Sequence, residues 1–472
     1  MPITTRAIIQ GGMGVGVSSW QLARAVASAG QLGVVSGVAL DATLARRLQD
    51  GDPGGDVRRA LDAFPDQAMV GRVLDRYFLA GGREPGRPYR PTPKPALRPH
   101  RHAQELAVLG NFVEVWLAKD GHDGPVGINY LEKIQLATPA AALGALLAGV
   151  DAVLMGAGVP REIPQLLTDL AAGRVGGVGV DVAGAPERHR VEVDPVDLLG
   201  GHLPALRRPT FLAIVSATVL AAYLARDETT RPDGFVIEGP VAGGHNAPPR
   251  GSLMLGDDGE PVYGARDAVD LEKVAALGLP FWLAGGYGTP EGLAAARELG
   301  AAGVQVGTLF ALATQSGLRS DLLDRLRRGL GAETLQVRTG VRSSPTGFPF
   351  KVAALEGTLA DPEVYAARER LCDLGYLRTP YLTPAGRVGY RCPGEPVDAY
   401  VRKGGDLADT EGRACLCNAL TADVGLGQTR PDGYQEPDLI TLGGDLDGPR
   451  RLWERHPEGW TAEQAVAWME GR

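Results

Sequence analysis

The sequence predicts an α/β protein: a (β/α)8 barrel of the TIM type, with a long insertion after strand 2 and a C-terminal extension. Three observations lead there. Apolar runs of strand length alternate with helix-length segments eight times between residues 7 and 310. Several of the intervening segments carry helix start and stop signals. The runs end in glycine-rich loops, and the C-terminal strand ends are where such a barrel keeps its chemistry.

The eight runs are Ala7 to Gln10, Leu32 to Gly37, Val126 to Leu131, Asp151 to Gly158, Thr210 to Ala217, Gly234 to Gly239, Phe281 to Gly286 and Gly303 to Phe310. After the first, a Ser18-Ser19 N-cap opens a helix that Gly30 closes. After the seventh, Thr289 caps a helix with Pro290 at its first position and Gly300 as its stop. The barrel is expected over residues 1–330. The insertion at about 41–122 should hold helices around Asp56 to Phe64 and Ala68 to Leu79, then a Pro- and Arg-rich loop from Gly81 to His100. Residues 246–266 read as a polar loop placed like a lid. Residues 331–472 form the extension, which could cover the active site. It has helix signals at Asp361 to Arg368 and a capping-box pattern at Thr461 to Gln464.

With 44% apolar and 22% charged residues, the 472-residue chain is ordinary for a soluble globular protein. Its net charge of −8 argues against a nucleic acid or an anionic membrane as partner and leaves a small-molecule substrate. Met1 to Gln10 lacks the apolar stretch of a secretory signal, and Pro139, Asp151 and several glycines break the longest apolar stretch, so a cytoplasmic protein is expected. Nothing in the chain indicates an oligomeric state.

Gly11-Gly-Met-Gly-Val-Gly-Val-Ser18 lies between the first strand and the first helix. Its spacing is not that of a dinucleotide fingerprint and no acid ends the second strand, so it reads as a loop whose backbone packs against a flat cofactor ring. Ala284-Gly285-Gly286 and Gln305-Val-Gly307-Thr308 end the seventh and eighth strands, the usual phosphate position in these barrels. His245, one of 7 histidines, sits on the loop Gly243-Gly244-His245-Asn246, where a residue able to take and give a proton is well placed. All 4 cysteines, Cys372, Cys392, Cys415 and Cys417, fall in the extension. They could hold zinc or an iron–sulfur cluster, form a disulfide in an oxidising compartment, or pack as small buried residues.

These motifs resemble those of the nitronate monooxygenase (2-nitropropane dioxygenase) family of FMN-dependent barrels, related to FMN-dependent enoyl-acyl-carrier-protein reductases. The resemblance covers most of residues 7 to 40 and 123 to 315. It implies FMN, with Gly12, Met13 and Gly14 of the first-strand motif and Asn129 of Gly127-Ile-Asn-Tyr130 at the ring. Gly243, Gly244 and His245 would form the catalytic-base loop, and Gly285, Gly286, Gln305, Gly307 and Thr308 the phosphate cradle. The acidic residue usual before Ala-Gly-Gly-His is replaced by Pro240-Val241. Lys133 and Lys351 would either steady an anionic reduced flavin or stand solvated.

The activity so implied is that of an FMN-dependent monooxygenase, oxidising nitroalkanes or nitronates with O2 while His245 serves as general base. The alternative is NAD(P)H-dependent reduction of an enoyl thioester or quinone. A barrel of the inosine-monophosphate dehydrogenase group would need a cysteine on the sixth-strand loop, and none precedes Cys372. A flavin-storing or scaffold role is the rival of another kind.

Overall fold

The computed structural model describes residues 3–472. Eight parallel strands form one sheet: β1 (Ile8–Gln10), β2 (Gly33–Ser36), β3 (Val126–Leu131), β4 (Ala152–Gly156), β5 (Thr210–Val215), β6 (Gly234–Glu238), β7 (Phe281–Ala284) and β8 (Gly303–Val306). Their order around the sheet is β1-β8-β7-β6-β5-β4-β3-β2. Leu32 closes the ring: its N–H donates to Ile8 O at 3.1 Å and its carbonyl accepts from Gln10 N at 3.0 Å. The result is the (β/α)8 barrel, and every strand falls within one of the eight apolar runs.

Alternate strand residues fill the barrel. Ile9, Leu32, Val34, Leu154, Leu212, Val236 and Trp282 form an inner cluster, with the Trp282 indole donating to Arg6 O at 2.9 Å. Because side chains alternate in and out, the other set faces the helices and joins the larger outer core. Helix starts follow the local signals. Ser19 caps Trp20–Ser28 and Thr289 caps Pro290–Glu298, while Thr461 and Gln464 form the capping box of Ala462–Met469.

The insertion contains the two expected helices, Asp56–Asp62 and Gln67–Tyr77, and also Leu40–Gln49 and Arg101–Lys119. The last packs against Thr138–Leu147 as the barrel helix leading into β3. It is enclosed nearly all round and even buries Glu105, Asn111 and Glu114. It therefore has no single apolar stripe to announce it. Three antiparallel hairpins were also absent from the sequence reading: Gly176–Val180 with His189–Val193, Gln336–Gly340 with Phe350–Ala354, and Thr379–Leu382 with Val388–Arg391.

Residues beyond 331 share the barrel's core. Trp460 is fully buried, its indole donating to Leu309 O at 2.9 Å, and Val466, Trp468 and Met469 join the outer core. Among the described residues no helix is long and apolar enough to cross a membrane.

Candidate active site

The C-terminal ends of the strands open into a cavity of about 230 Å³. Register sets its wall: Glu238 pairs with Ala284, Ala284 with Gln305, and Gln305 with Ile9, so these positions form one row across β6, β7, β8 and β1. Gly285 and Gly286 continue β7 at φ of 88° and 87°, a left-handed conformation that β-branched residues avoid. Gly307 and Thr308 continue β8, and Thr308 Oγ1 accepts from Gly443 N at 2.8 Å.

Across the cavity stands the loop after β1. A Cβ on Gly12 would lie 2.3 Å from Asn129 Cβ, so only glycine permits this approach. Asn129 Nδ2 donates to Gly12 O at 3.2 Å. This leaves Asn129 Oδ1 enclosed and unpartnered, as is Gln305 Oε1. Buried acceptors without donors are costly, and a bound group supplying N–H or O–H would relieve them. Met13 and Gly14 line the same cavity, with Met13 N held by Ser18 Oγ at 2.9 Å.

The loop after β6 brings Gly243, Gly244 and His245 to the cavity. The extension pins it from two sides. Asn246 N donates to Pro349 O and Lys351 N to Gly244 O, each at 2.9 Å. From Thr441 to Asp445 a strap crosses the loop: Gly244 N donates to Thr441 Oγ1 and Gly444 N to Val241 O, both at 2.8 Å. His245 Nε2 is 2.7 Å from Ser344 Oγ, and the ring meets Phe350 edge-on at 4.9 Å. Burial, with the positive charge of Lys133 second, depresses the imidazole to about 4. It is a neutral base at physiological pH.

Glu238, at the tip of β6, lines the same cavity, and its carboxyl has no hydrogen-bond partner among the described residues. Burial raises its carboxyl to about 8. A neutral acid and a neutral imidazole thus share one site, the pattern by which environments divide acid and base roles. Lys133 Nζ lies over the Phe348 ring at 4.6 Å. Lys351 is turned elsewhere, donating to Thr339 Oγ1 at 2.6 Å and facing Glu260 at 3.8 Å.

All twelve expected site residues, from Gly12 to Thr308, line this one cavity. Sequence reasoning missed Glu238, Ser344 and the strap. Glu238 had a local signal, an acidic residue closing an apolar strand. Ser344 and Thr441 had none, because only tertiary folding brings them to His245.

The metal site at Cys372, Cys392, Cys415 and Cys417 is not supported. Among the described residues no group of three or more His, Cys, Asp or Glu could hold a metal ion, and all four thiols are free. Burial pushes Cys392 up to about 12 and raises Cys372 as well, while the Cys415 thiol holds Cys417 below the ordinary value. The Cys415 and Cys417 thiols hydrogen-bond each other.

A parallel barrel with a glycine-walled, histidine-bearing cavity at its C-terminal face has the architecture of a barrel enzyme. Residues 205–342 match the family model of nitronate monooxygenase. The chain is 32% identical over 217 residues to a nitronate monooxygenase of Pseudomonas aeruginosa, covering 44% of this chain and 56% of that protein. It is also 32% identical over 146 residues to (3aS,4S,5R,7aS)-5-hydroxy-7a-methyl-1-oxo-octahydro-1H-indene-4-carboxyl-CoA dehydrogenase of Mycobacterium tuberculosis, covering 30% of this chain and 36% of that one. The chain thus spans from about a third to about half the length of these curated relatives. Among solved structures it is similar to nitroalkane oxidase from Streptomyces ansochromogenes, at a TM-score of 0.45 and 16% identity, covering 99% of this chain and 95% of the other. The resemblance to the nitronate monooxygenase family is borne out.

Proposed function

We propose that the cavity binds FMN and that the protein is an FMN-dependent oxidoreductase oxidising nitroalkanes or their nitronates with O2. The observation that carries this reading is a neutral, cavity-lining imidazole facing a wall of left-handed and unhindered glycines at the ends of β7 and β8. Gly285, Gly286, Gly307 and Thr308 would hold the phosphate. Gly12, Met13, Gly14, Gly243 and Gly244 would pack against the ring. The unpartnered Asn129 Oδ1 and Gln305 Oε1 suit a ligand that offers N–H and O–H donors, as a flavin ring and ribityl chain do.

When bound, the flavin would supply the electron acceptor and the reaction with O2. The chain's own share is proton handling and orientation. His245 would take the acidic α-proton of a neutral nitroalkane; an ionised nitronate needs no such step. A base depressed to about 4 is fully available at neutral pH but a weak proton acceptor. The resulting anion must therefore be stabilised, and Glu238 is the cavity-lining acid present to do so.

The second reading is NAD(P)H-dependent reduction of an enoyl thioester or quinone. It is favoured by the neutral acid at Glu238 and by the mycobacterial relative named as acting on a CoA ester. One experiment separates the readings: purified protein showing flavin absorbance is mixed anaerobically with nitroethane, with its nitronate, and with NADH or NADPH. Bleaching by the nitro compounds is expected. Bleaching by nicotinamide alone would transfer the assignment to the second reading, and absence of flavin would defeat both.

A further inference from the structure

Ser344 lies about a hundred residues beyond His245, on the turn joining the strands of the hairpin Gln336–Gly340 with Phe350–Ala354. It is completely buried. Its carbonyl accepts from Arg413 Nη1 at 2.7 Å. Its hydroxyl is 2.7 Å from His245 Nε2 and 2.8 Å from Thr346 Oγ1, and accepts from Thr346 N at 3.2 Å. The other ring nitrogen, Nδ1, has no protein partner among the described residues and is not among the enclosed unpartnered atoms, and His245 lines the cavity.

We propose that Ser344 is a positioning residue that engages Nε2 of His245 as a hydrogen-bond acceptor, leaving Nδ1 as the nitrogen that exchanges a proton with the ligand. The second half rests on the base role given to His245 above.

Valence allows this arrangement, and the NMR test separates it from the reverse, in which Ser344 Oγ–H donates to Nε2 and Thr346 Oγ1–H to Ser344 Oγ. A hydroxyl has two acceptor sites and one proton. Ser344 Oγ can accept from Nε2–H and from Thr346 N–H while donating to Thr346 Oγ1, which saturates it. The neutral imidazole then carries its proton on Nε2 and its lone pair on Nδ1. When Nδ1 takes a proton from the ligand, one N–H bond forms as the ligand's bond to hydrogen breaks, leaving that bonding pair on the ligand. The imidazolium formed still donates through Nε2 to Ser344, so no other proton has to move. The main-chain bonds Asn246 N to Pro349 O and Lys351 N to Gly244 O clamp the loop on either side, and Phe350 limits rotation of the ring.

The test is nitrogen NMR of the full chain labelled with [15N]histidine at neutral pH, with the His245 signals assigned by their loss in His245→Gln. A pyrrole-type Nε2 and a pyridine-type Nδ1 are expected; the opposite pattern overturns the proposal. In Ser344→Ala, kcat on a neutral nitroalkane should fall about 10- to 100-fold, part of the ~10²- to 10⁴-fold that a positioned base contributes. KM should change less than about two-fold, the nitronate should be spared, and Ser344→Thr should restore most of the loss. Wild-type kcat in Ser344→Ala with an unchanged tautomer pattern would also overturn it. If no nitro compound turns over, the function proposed above fails while the NMR result still decides which nitrogen Ser344 holds.

Discussion

The main-chain N–H of Gly443 donates to Thr308 Oγ1 at 2.8 Å, so a residue from the chain's last thirty closes over the end of β8. A Cβ on Gly443 would stand 3.0 Å from that same Oγ1 and 3.1 Å from Val241 O. The strap, the end of β8 and the loop after β6 meet at this point. Gly443→Val should therefore push the strap off the wall and raise the Kd for FMN at least about tenfold, or about 1.4 kcal/mol. Gly444→Ala, whose added Cβ would have its nearest neighbours 3.9 Å away, should bind FMN normally. Fluorescence titration of apoprotein checks both; equal affinities would separate the strap from cofactor binding.

Gly286 has φ of 87°. Gly286→Val forces a β-branched residue into a conformation it avoids and places methyl groups where N–H donors would approach phosphate. The purified variant should fold, with a far-ultraviolet spectrum like wild type, and carry little flavin. Stoichiometric FMN would move the phosphate site elsewhere.

His245→Ala should retain flavin and lose ~10²- to 10⁴-fold in turnover of a neutral nitroalkane, with much less loss on its nitronate. Steady-state rates on both protonation forms of one nitroalkane provide the comparison. An equal loss on both would reduce His245 to a binding group.

Glu238 gives a pH signature of definite sign. Its carboxyl sits at about 8 in the folded protein against an ordinary 4.5. Between those values the folded state keeps a proton that the unfolded chain releases, so this group's contribution to stability is full below about 4.5 and falls as pH rises toward 8. Glu238→Gln, which cannot ionise, should lack this decline, and its Tm advantage over wild type should widen from about pH 5 to pH 8. Parallel Tm profiles for apoprotein across that range would show Glu238 ionising normally.

The barrel could be read from the sequence because its information is local. A parallel strand covered on both faces is a short apolar run, and a loop that must leave backbone N–H groups free is rich in glycine. Hence all eight strands, the caps at Ser19, Thr289 and Thr461, and the cavity-lining positions from Gly12 to Thr308 were recognisable in order. Arg101–Lys119 escaped because a helix enclosed on nearly every side loses the amphipathic stripe that marks surface helices. The cysteines misled because proximity in sequence does not bring side chains within reach of one ion, and among the described residues no three His, Cys, Asp or Glu could hold a metal.

By itself, then, the sequence determined the fold and marked the glycine- and histidine-bearing loops that line one cavity at the strand ends, since each depends on residues within a few positions of one another. Tertiary structure alone decided what His245 and Glu238 can do. The imidazole is depressed by burial and by Lys133, the carboxyl is raised by burial without a partner, and the ring is held by Ser344 from the extension. A protonation state is set by everything packed around a group, whatever its distance along the chain.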